Sequence, residues 1–212
     1  MLHGFTQSGA CFDELCERMG ARGVAPDLPG HGSDPTEQTS LDEAVEEIAH
    51  LIRSVGSPLP LLGYSQGGRV ALHVALAHPE LVRQLVVISA SPGISDLSER
   101  ARRVELDEER AQELIEAGLE AFLDRWAALP MFEGLRTRSS AWLARDRERR
   151  LVHTPEGLAA ALRGLGLGRQ EDLLPRLSEL AMPAMFIAGA KDSAYVEHAF
   201  SMASQAPMGI PV

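Results

Sequence analysis

The sequence predicts an α/β fold built on a mostly parallel sheet. Three observations carry that expectation. Short apolar runs at 59–64 (LPLLGY), 85–90 (LVVISA) and 184–189 (AMFIAG) are bounded by Gly, Pro or Ser, the mark of strands buried on both faces. Helical periodicity fills the interval between the first two, and alternating strand and helix implies right-handed crossovers. With 212 residues, 45% of them hydrophobic, the chain is long enough for one substantial core, and one domain is expected.

Taken in order, the chain opens on LHGFTQSG (2–9), a His-Gly loop in which His3 is expected to organise neighbouring backbone and Phe5 to present an N–H. Cys11 and Cys16, five residues apart on an expected helix, point about 140° away from each other, so no disulfide is expected between them. DLPGHGSD (27–34) reads as a tight turn after a short strand, with His31 structural. LDEAVEEIAHLIRSV (41–55) follows Ser40, an N-cap, and places Leu41, Val45, Ile48, Leu51, Ile52 and Val55 on one face. A second helix, 67–78, is stopped by Pro79. Residues 97–180 are charged and read as several helices without a strand, an insertion expected to cap the active-site edge. The core is then 1–96 and 181–212. After the 184–189 strand, YVEHAFSMASQ (195–205) reads as a closing helix.

Composition narrows the function. A net charge of −10 and a pI near 5.2 repel nucleic acid and anionic membrane surfaces, so neither is an expected partner. No apolar run approaches the roughly 20 residues of a membrane span, and MLHGFTQSG lacks the pattern of a secretory signal. A cytoplasmic protein is expected. Two cysteines with no CxxC and no Cys/His cluster at ligand spacing argue against a metal site, and no organic cofactor is indicated.

The motif that carries chemistry is GYSQG (63–67), a GxSxG at the point where a strand turns into a helix. Such a turn needs small residues two positions either side of the serine, because side chains there would collide with the adjacent strand and helix. It lifts the Ser65 hydroxyl clear of the sheet and aims the Gln66 N–H, at a helix N-terminus, toward any oxyanion that forms.

HGF, DLPGHGSD and GYSQGG, in this order, resemble the α/β-hydrolase fold. More narrowly, GYSQGGRVALHVALAHPELV, SASPGI, the arginine cluster after it and TPEGLAAALRGLGLG resemble the family of 2-succinyl-6-hydroxy-2,4-cyclohexadiene-1-carboxylate (SHCHC) synthases of menaquinone biosynthesis. The likeness runs through nearly all of the chain. It implies Ser65 as nucleophile, Asp192 in AMFIAGAKD as triad acid with Asp96 as the alternative, and Phe5 and Gln66 as oxyanion donors. It also implies Tyr64, Arg103, Trp126, Phe132 and Arg150 as substrate-binding residues. The implied reaction is a lyase step that removes pyruvate from a cyclohexene bearing a succinyl chain and an enolpyruvyl group. The small-molecule substrate would be a polycarboxylate, and arginine suits it, because its planar fork binds carboxylates in pairs of bonds and stays charged when partly desolvated.

A serine triad also needs a histidine to accept the proton. The family's base should follow the acid by some 25 residues or more, and His198, six residues past Asp192, is too close for that place. His50, His73, His78 and His153 are expected to be surface or packing residues. Met1 and Leu2 also leave little room for the apolar strand that normally precedes LHG. The expectation is therefore a fragment or truncated gene model of a longer enzyme, with an incomplete sheet and impaired turnover. A serine hydrolase of esters or carbon-carbon bonds, and a non-catalytic binding protein on the same fold, are the alternatives.

Overall fold

The computed structural model describes residues 1–20, 22–32 and 38–212. Ser33 to Glu37, within the DLPGHGSD turn and just after it, lie outside the described residues. Four strands, β1 (Leu59–Tyr64), β2 (Val82–Ile88), β3 (Ala184–Ile187) and β4 (Gly209–Pro211), pair in sequence order, every pair parallel. Leu2 adds a single parallel bridge to Gly63, with its N–H donating to Leu62 O at 2.8 Å and its carbonyl accepting from Tyr64 N at 2.9 Å.

Each parallel pair demands a crossover, and the helices supply it. After a short first helix, α1 (Asp13–Met19), the helix α2 (Leu41–Val55) begins at Ser40, whose hydroxyl accepts from Glu43 N while the Glu43 carboxylate accepts from Ser40 N. That reciprocal pair satisfies two N–H groups the first turn would otherwise leave free. Val45, Ile48 and Ile52 of α2 then join Val70, Leu72 and Val74 of α3 (Gln66–Ala77) and Leu61, Leu85, Val87 and Phe186 of the strands in one core. The helix α8 (Ser193–Gln205) packs on β3 and β4 through Ala199, Met202 and Ala203.

Between β2 and β3 lie the helices α4 (Leu97–Ala117), α5 (Leu119–Ala127), α6 (Ser140–Arg150) and α7 (Pro155–Leu165). They hold a smaller core of their own, Ala111, Leu114, Phe122, Leu158, Ala159 and Leu162, against which Phe5 and Trp126 pack. Phe5 belongs to the loop after Leu2, so this helical segment is seated on the N-terminal loop as well as on its own helices.

Several expectations need correction. β2 begins at Val82, three residues before the apolar run, because the turn Pro79–Leu81 delivers the chain straight into register with Leu59. Residues 22–28 form no strand. There the Met1 ammonium donates to Val24 O, and Pro26 has no N–H to give a ladder. Asp96, the alternative acid, is the N-cap of α4, exposed, with its carboxylate accepting from Ser98 N and Glu99 N. His153 is a packing residue as expected, but it lies outside the helices. It is buried in the turn after α6.

Candidate active site

Ser65 stands between the end of β1 and the first residue of α3 with φ 52 and ψ −112, a region that disfavours a side chain. Its N–H donates to Ile88 O at 2.8 Å, which ties the bend to the end of β2. The flanking glycines are required by contact. A Cβ on Gly63 would lie 2.3 Å from Gly67 O, and one on Gly67 would lie 2.3 Å from Leu2 O and 2.5 Å from His3 O. The Gly67 N–H donates to His3 O at 3.0 Å, so the bend and the His-Gly loop are held in direct backbone contact. Gln66, as the first residue of α3, has an N–H with no acceptor inside the helix.

His3 performs the expected organising role. Its Nε2 accepts from Leu28 N at 2.9 Å and its Nδ1 donates to Gly4 O at 2.9 Å. Burial pushes its pKa down to about 4. His31 and His153 complete an edge-to-face row with it, ring centroids 4.8 and 5.5 Å apart, and burial lowers both of their pKa values.

Ser65 opens into a cavity of about 410 Å³. The structure brings Phe5, Tyr64, Gln66, Arg103, Trp126, Phe132 and Arg150 of the sequence-based site to its walls, and leaves Asp192 off them. Asp192 caps α8, where its Oδ1 accepts from Tyr195 N at 3.4 Å, and its charge is still felt at Tyr64. The Tyr64 phenol is raised, first by burial and only secondarily by Tyr195, Cys11 and Asp192, against the opposing pull of Arg150.

Arg150 is heavily engaged. Its Nε and Nη2 donate to the two oxygens of Asp146, at 2.8 and 3.4 Å, and its Nη1 donates to the Thr6 hydroxyl. Arg103 is freer, because both oxygens of Asp107 accept from its Nε alone. Sequence reasoning missed Arg69, Arg110, Trp142 and Tyr195, which also line the cavity. Arg69 is nine-tenths buried, one turn after Ser65, donates to Leu165 O at 2.9 Å, and is brought down to about 10 by burial. It therefore stays charged at neutral pH. The signal was present: a lone arginine on the otherwise apolar stretch RVALHVALA.

None of the seven histidines hydrogen-bonds to Ser65, whose hydroxyl has no partner among the described residues. His198 lies on α8 with its ring 5.8 Å from that of Tyr195. No group of His, Cys, Asp and Glu suited to a metal ion occurs among the described residues, and no helix of the described residues is long and apolar enough to cross a membrane.

The comparisons with known proteins agree with this geometry. The signature of the alpha/beta hydrolase fold matches residues 1–206. A Bacillus subtilis (strain 168) protein that carries the provisional name 2-succinyl-6-hydroxy-2,4-cyclohexadiene-1-carboxylate synthase is 33% identical over 200 residues, covering 92% of this chain and 73% of that one. The pimeloyl-(acyl-carrier protein) methyl ester esterase of Xanthomonas campestris pv. campestris (strain B100) is 32% identical over 204 residues, covering 91% of this chain and 75% of its own. Among solved structures, MenH from S. aureus superposes with a TM-score of 0.93 at 32% identity, over all of this chain and 82% of that one. With a family match along almost its whole length, a serine on a strained strand-to-helix bend and a parallel sheet beneath it, this chain belongs to the α/β-hydrolase fold family.

Proposed function

We propose that the cavity over Ser65 is the site of an SHCHC synthase-like lyase of menaquinone biosynthesis, which takes a polycarboxylate substrate and releases pyruvate from it. Residues 97–180 act as the cap and 1–96 with 181–212 as the core. The observation that carries the reading is the arginine content of the cavity wall: Arg69, Arg103, Arg110, Arg145, Arg149 and Arg150 all reach it in a protein whose net charge is −10. An acidic molecule holds a polyanion only where local cations override its overall field, and guanidinium forks do this best.

In this reading Ser65 is the reacting hydroxyl, and the N–H groups of Phe5 and Gln66 steady negative charge as it develops. Asp192 serves as the acid of the triad. Arg103, Arg150, Tyr64, Trp126 and Phe132 orient the substrate. A proton leaves the ring carbon, the double bonds shift, the bond to the enolpyruvyl oxygen breaks and the departing enolpyruvate takes up a proton to become pyruvate, with no net change in protons and no water consumed.

A second reading, ester hydrolysis, is favoured by the similarity to the Xanthomonas esterase. The two separate when the protein is offered the enolpyruvyl substrate and p-nitrophenyl acetate in parallel. Pyruvate release that Ser65→Ala lowers, without ester turnover above that variant, supports the lyase. Ester turnover abolished by Ser65→Ala, with no pyruvate formed, assigns the hydrolase. Binding of a tricarboxylate with neither activity leaves a binding protein on the same fold.

A further inference from the structure

Several exposed arginines outside the cavity meet acids at least one for one. Arg163 spans both oxygens of Glu108 at 2.8 Å each, and Arg176 reaches Glu171 at 2.7 Å and Glu179 at 3.2 Å. The cavity wall made by the first turn of α3 and by α4 is different. There Arg103, Asp107 and Arg110 occupy one face of α4 at i, i+4 and i+7, and Arg69 comes within their electrostatic reach from α3. Asp107, buried to 4% side-chain exposure, accepts from Arg103 Nε with both oxygens, at 2.9 and 3.0 Å, and from Arg110 Nη1 at 3.4 Å. Arg69 has no carboxylate partner among the described residues.

Three guanidiniums around one carboxylate leave a surplus of positive charge in a partly enclosed wall, where Arg69 is buried, Arg103 and Arg110 are 30% and 21% exposed, and Glu113 offsets only part of the charge at Arg110. A buried ion pair serving structure alone needs one cation per carboxylate, and each surplus charge costs free energy unless an anion arrives. The geometry leaves room for one. Engaging Arg103 through Nε leaves its Nη1 and Nη2 without partners among the described residues. Arg110 lies 5.3 Å over the Trp126 ring, and that ring is itself packed against Phe5, Phe122 and Phe132. Both forks are thus held in place before a ligand binds, which lowers the cost of binding it.

We propose that Arg110 recognises the same ligand carboxylate as Arg103, and that Asp107 is the positioning residue that holds the two guanidiniums in register. The inference rests on the polycarboxylate reading of the cavity and adds residues to it. Calorimetric titration of the protein with tricarballylate, at low salt, tests it. Arg110→Gln weakens binding roughly 10- to 100-fold, the loss expected of a charge-assisted bond. Asp107→Asn separates positioning from charge counting. Removing a negative charge beside arginines should tighten an anion by charge alone, whereas loss of register weakens it about tenfold. In the Arg110→Gln background Asp107→Asn costs less than it does alone, because the two act as a unit. Wild-type affinity in Arg110→Gln, or tighter binding in Asp107→Asn, overturns the proposal. Should Asp107→Asn fail to fold, Arg110→Gln decides with Arg110→Lys, which keeps the charge without the fork and should bind between it and wild type. If Arg103→Ala abolishes binding while Arg110→Gln does not change it, this inference alone falls. If the wild-type protein binds no tricarballylate, the polycarboxylate reading falls with it.

Discussion

His153 donates its Nε2 proton to the Thr6 carbonyl oxygen at 3.0 Å while its Nδ1 accepts from Gly32 N at 2.8 Å. One imidazole from the turn after α6 thus joins the loop that presents Phe5 to the turn that carries His31. Thr6 has φ 64, and Arg150 grips its hydroxyl from the same side, so two residues from the helical segment hold one strained residue of the N-terminal loop. Both bonds of His153 require the neutral ring, because a second N–H would face the Gly32 donor.

The same requirement applies to His3, which gives the stability of the protein a pH dependence with a definite sign. Burial lowers the folded pKa of His3 from 6.5 to about 4, and lowers those of His31 and His153. Between the unfolded and folded values the unfolded chain binds more protons. The stabilisation is therefore complete above pH about 6.5 and is lost as pH falls toward 4. For His3 alone the loss is on the order of 3 kcal/mol. Urea unfolding from pH 7.5 to 4.5 should show the midpoint dropping through this window, and His3→Gln should flatten the drop. A wild-type midpoint unchanged over that range contradicts the histidine assignments.

Ser65→Gly should make the protein more stable while removing its chemistry. The side chain is held at φ 52, where strain costs about 1 to 3 kcal/mol, and glycine's greater freedom in the unfolded chain returns only about 1 kcal/mol of that. A gain of roughly 1 kcal/mol in urea unfolding is the expected result. A loss would show that the bend is not strained at position 65.

Gly67→Ala should do the reverse. Its Cβ would meet the Leu2 and His3 carbonyl oxygens, which are backbone atoms and cannot swing aside. The His-Gly loop must then lift away from α3, at a cost of about 2 kcal/mol or more. Thermal unfolding checks the loss, and near-native stability would mean that the loop tolerates displacement.

Arg69→Met should change sign with ligand. Without an anion, replacing a buried guanidinium that lacks a carboxylate by an apolar chain of similar length is neutral or stabilising by about 1 kcal/mol, even after the bond to Leu165 O is lost. With saturating tricarballylate the wild type should be the more stable of the two, because only it gains the binding free energy. Paired thermal melts read both effects, and a variant destabilised under both conditions would make Arg69 purely structural.

Much of this was legible in the chain because it depends on short local patterns. The Ser40 N-cap, the strand at 59–64, the helix stopped before Pro79 and the GYSQG bend follow from neighbouring residues and agree with the structure within a residue or two. Of the residues that meet across the cavity, Phe5 follows from the His-Gly loop and Tyr64, Arg103, Trp126 and Phe132 from resemblance, and the fold brings them to one space. What eluded the sequence depends on distant contacts. Arg110 resembles any helix arginine until Trp126 is placed beside it, and the lone Arg69 of RVALHVALA shows where it points only once Leu165 is beside it. His153 is the packing residue expected, but its partners, Thr6 and Gly32, are more than 100 positions away and follow only from the fold. The extended stretch before Leu28 reads as a strand, and what distinguishes it is the lack of a ladder partner among the described residues, with Pro26 giving no N–H to one.

The central claim is that an anion with several carboxylates sits over Ser65 in the grip of the cavity arginines. A crystal structure of the protein soaked with tricarballylate tests it most directly. The account predicts one carboxylate within about 3 Å of the Arg103 and Arg110 forks and the rest of the ligand reaching toward the Ser65 hydroxyl. A ligand bound only at outer arginines such as Arg163 or Arg176, with the cavity empty at saturating concentration, would contradict it.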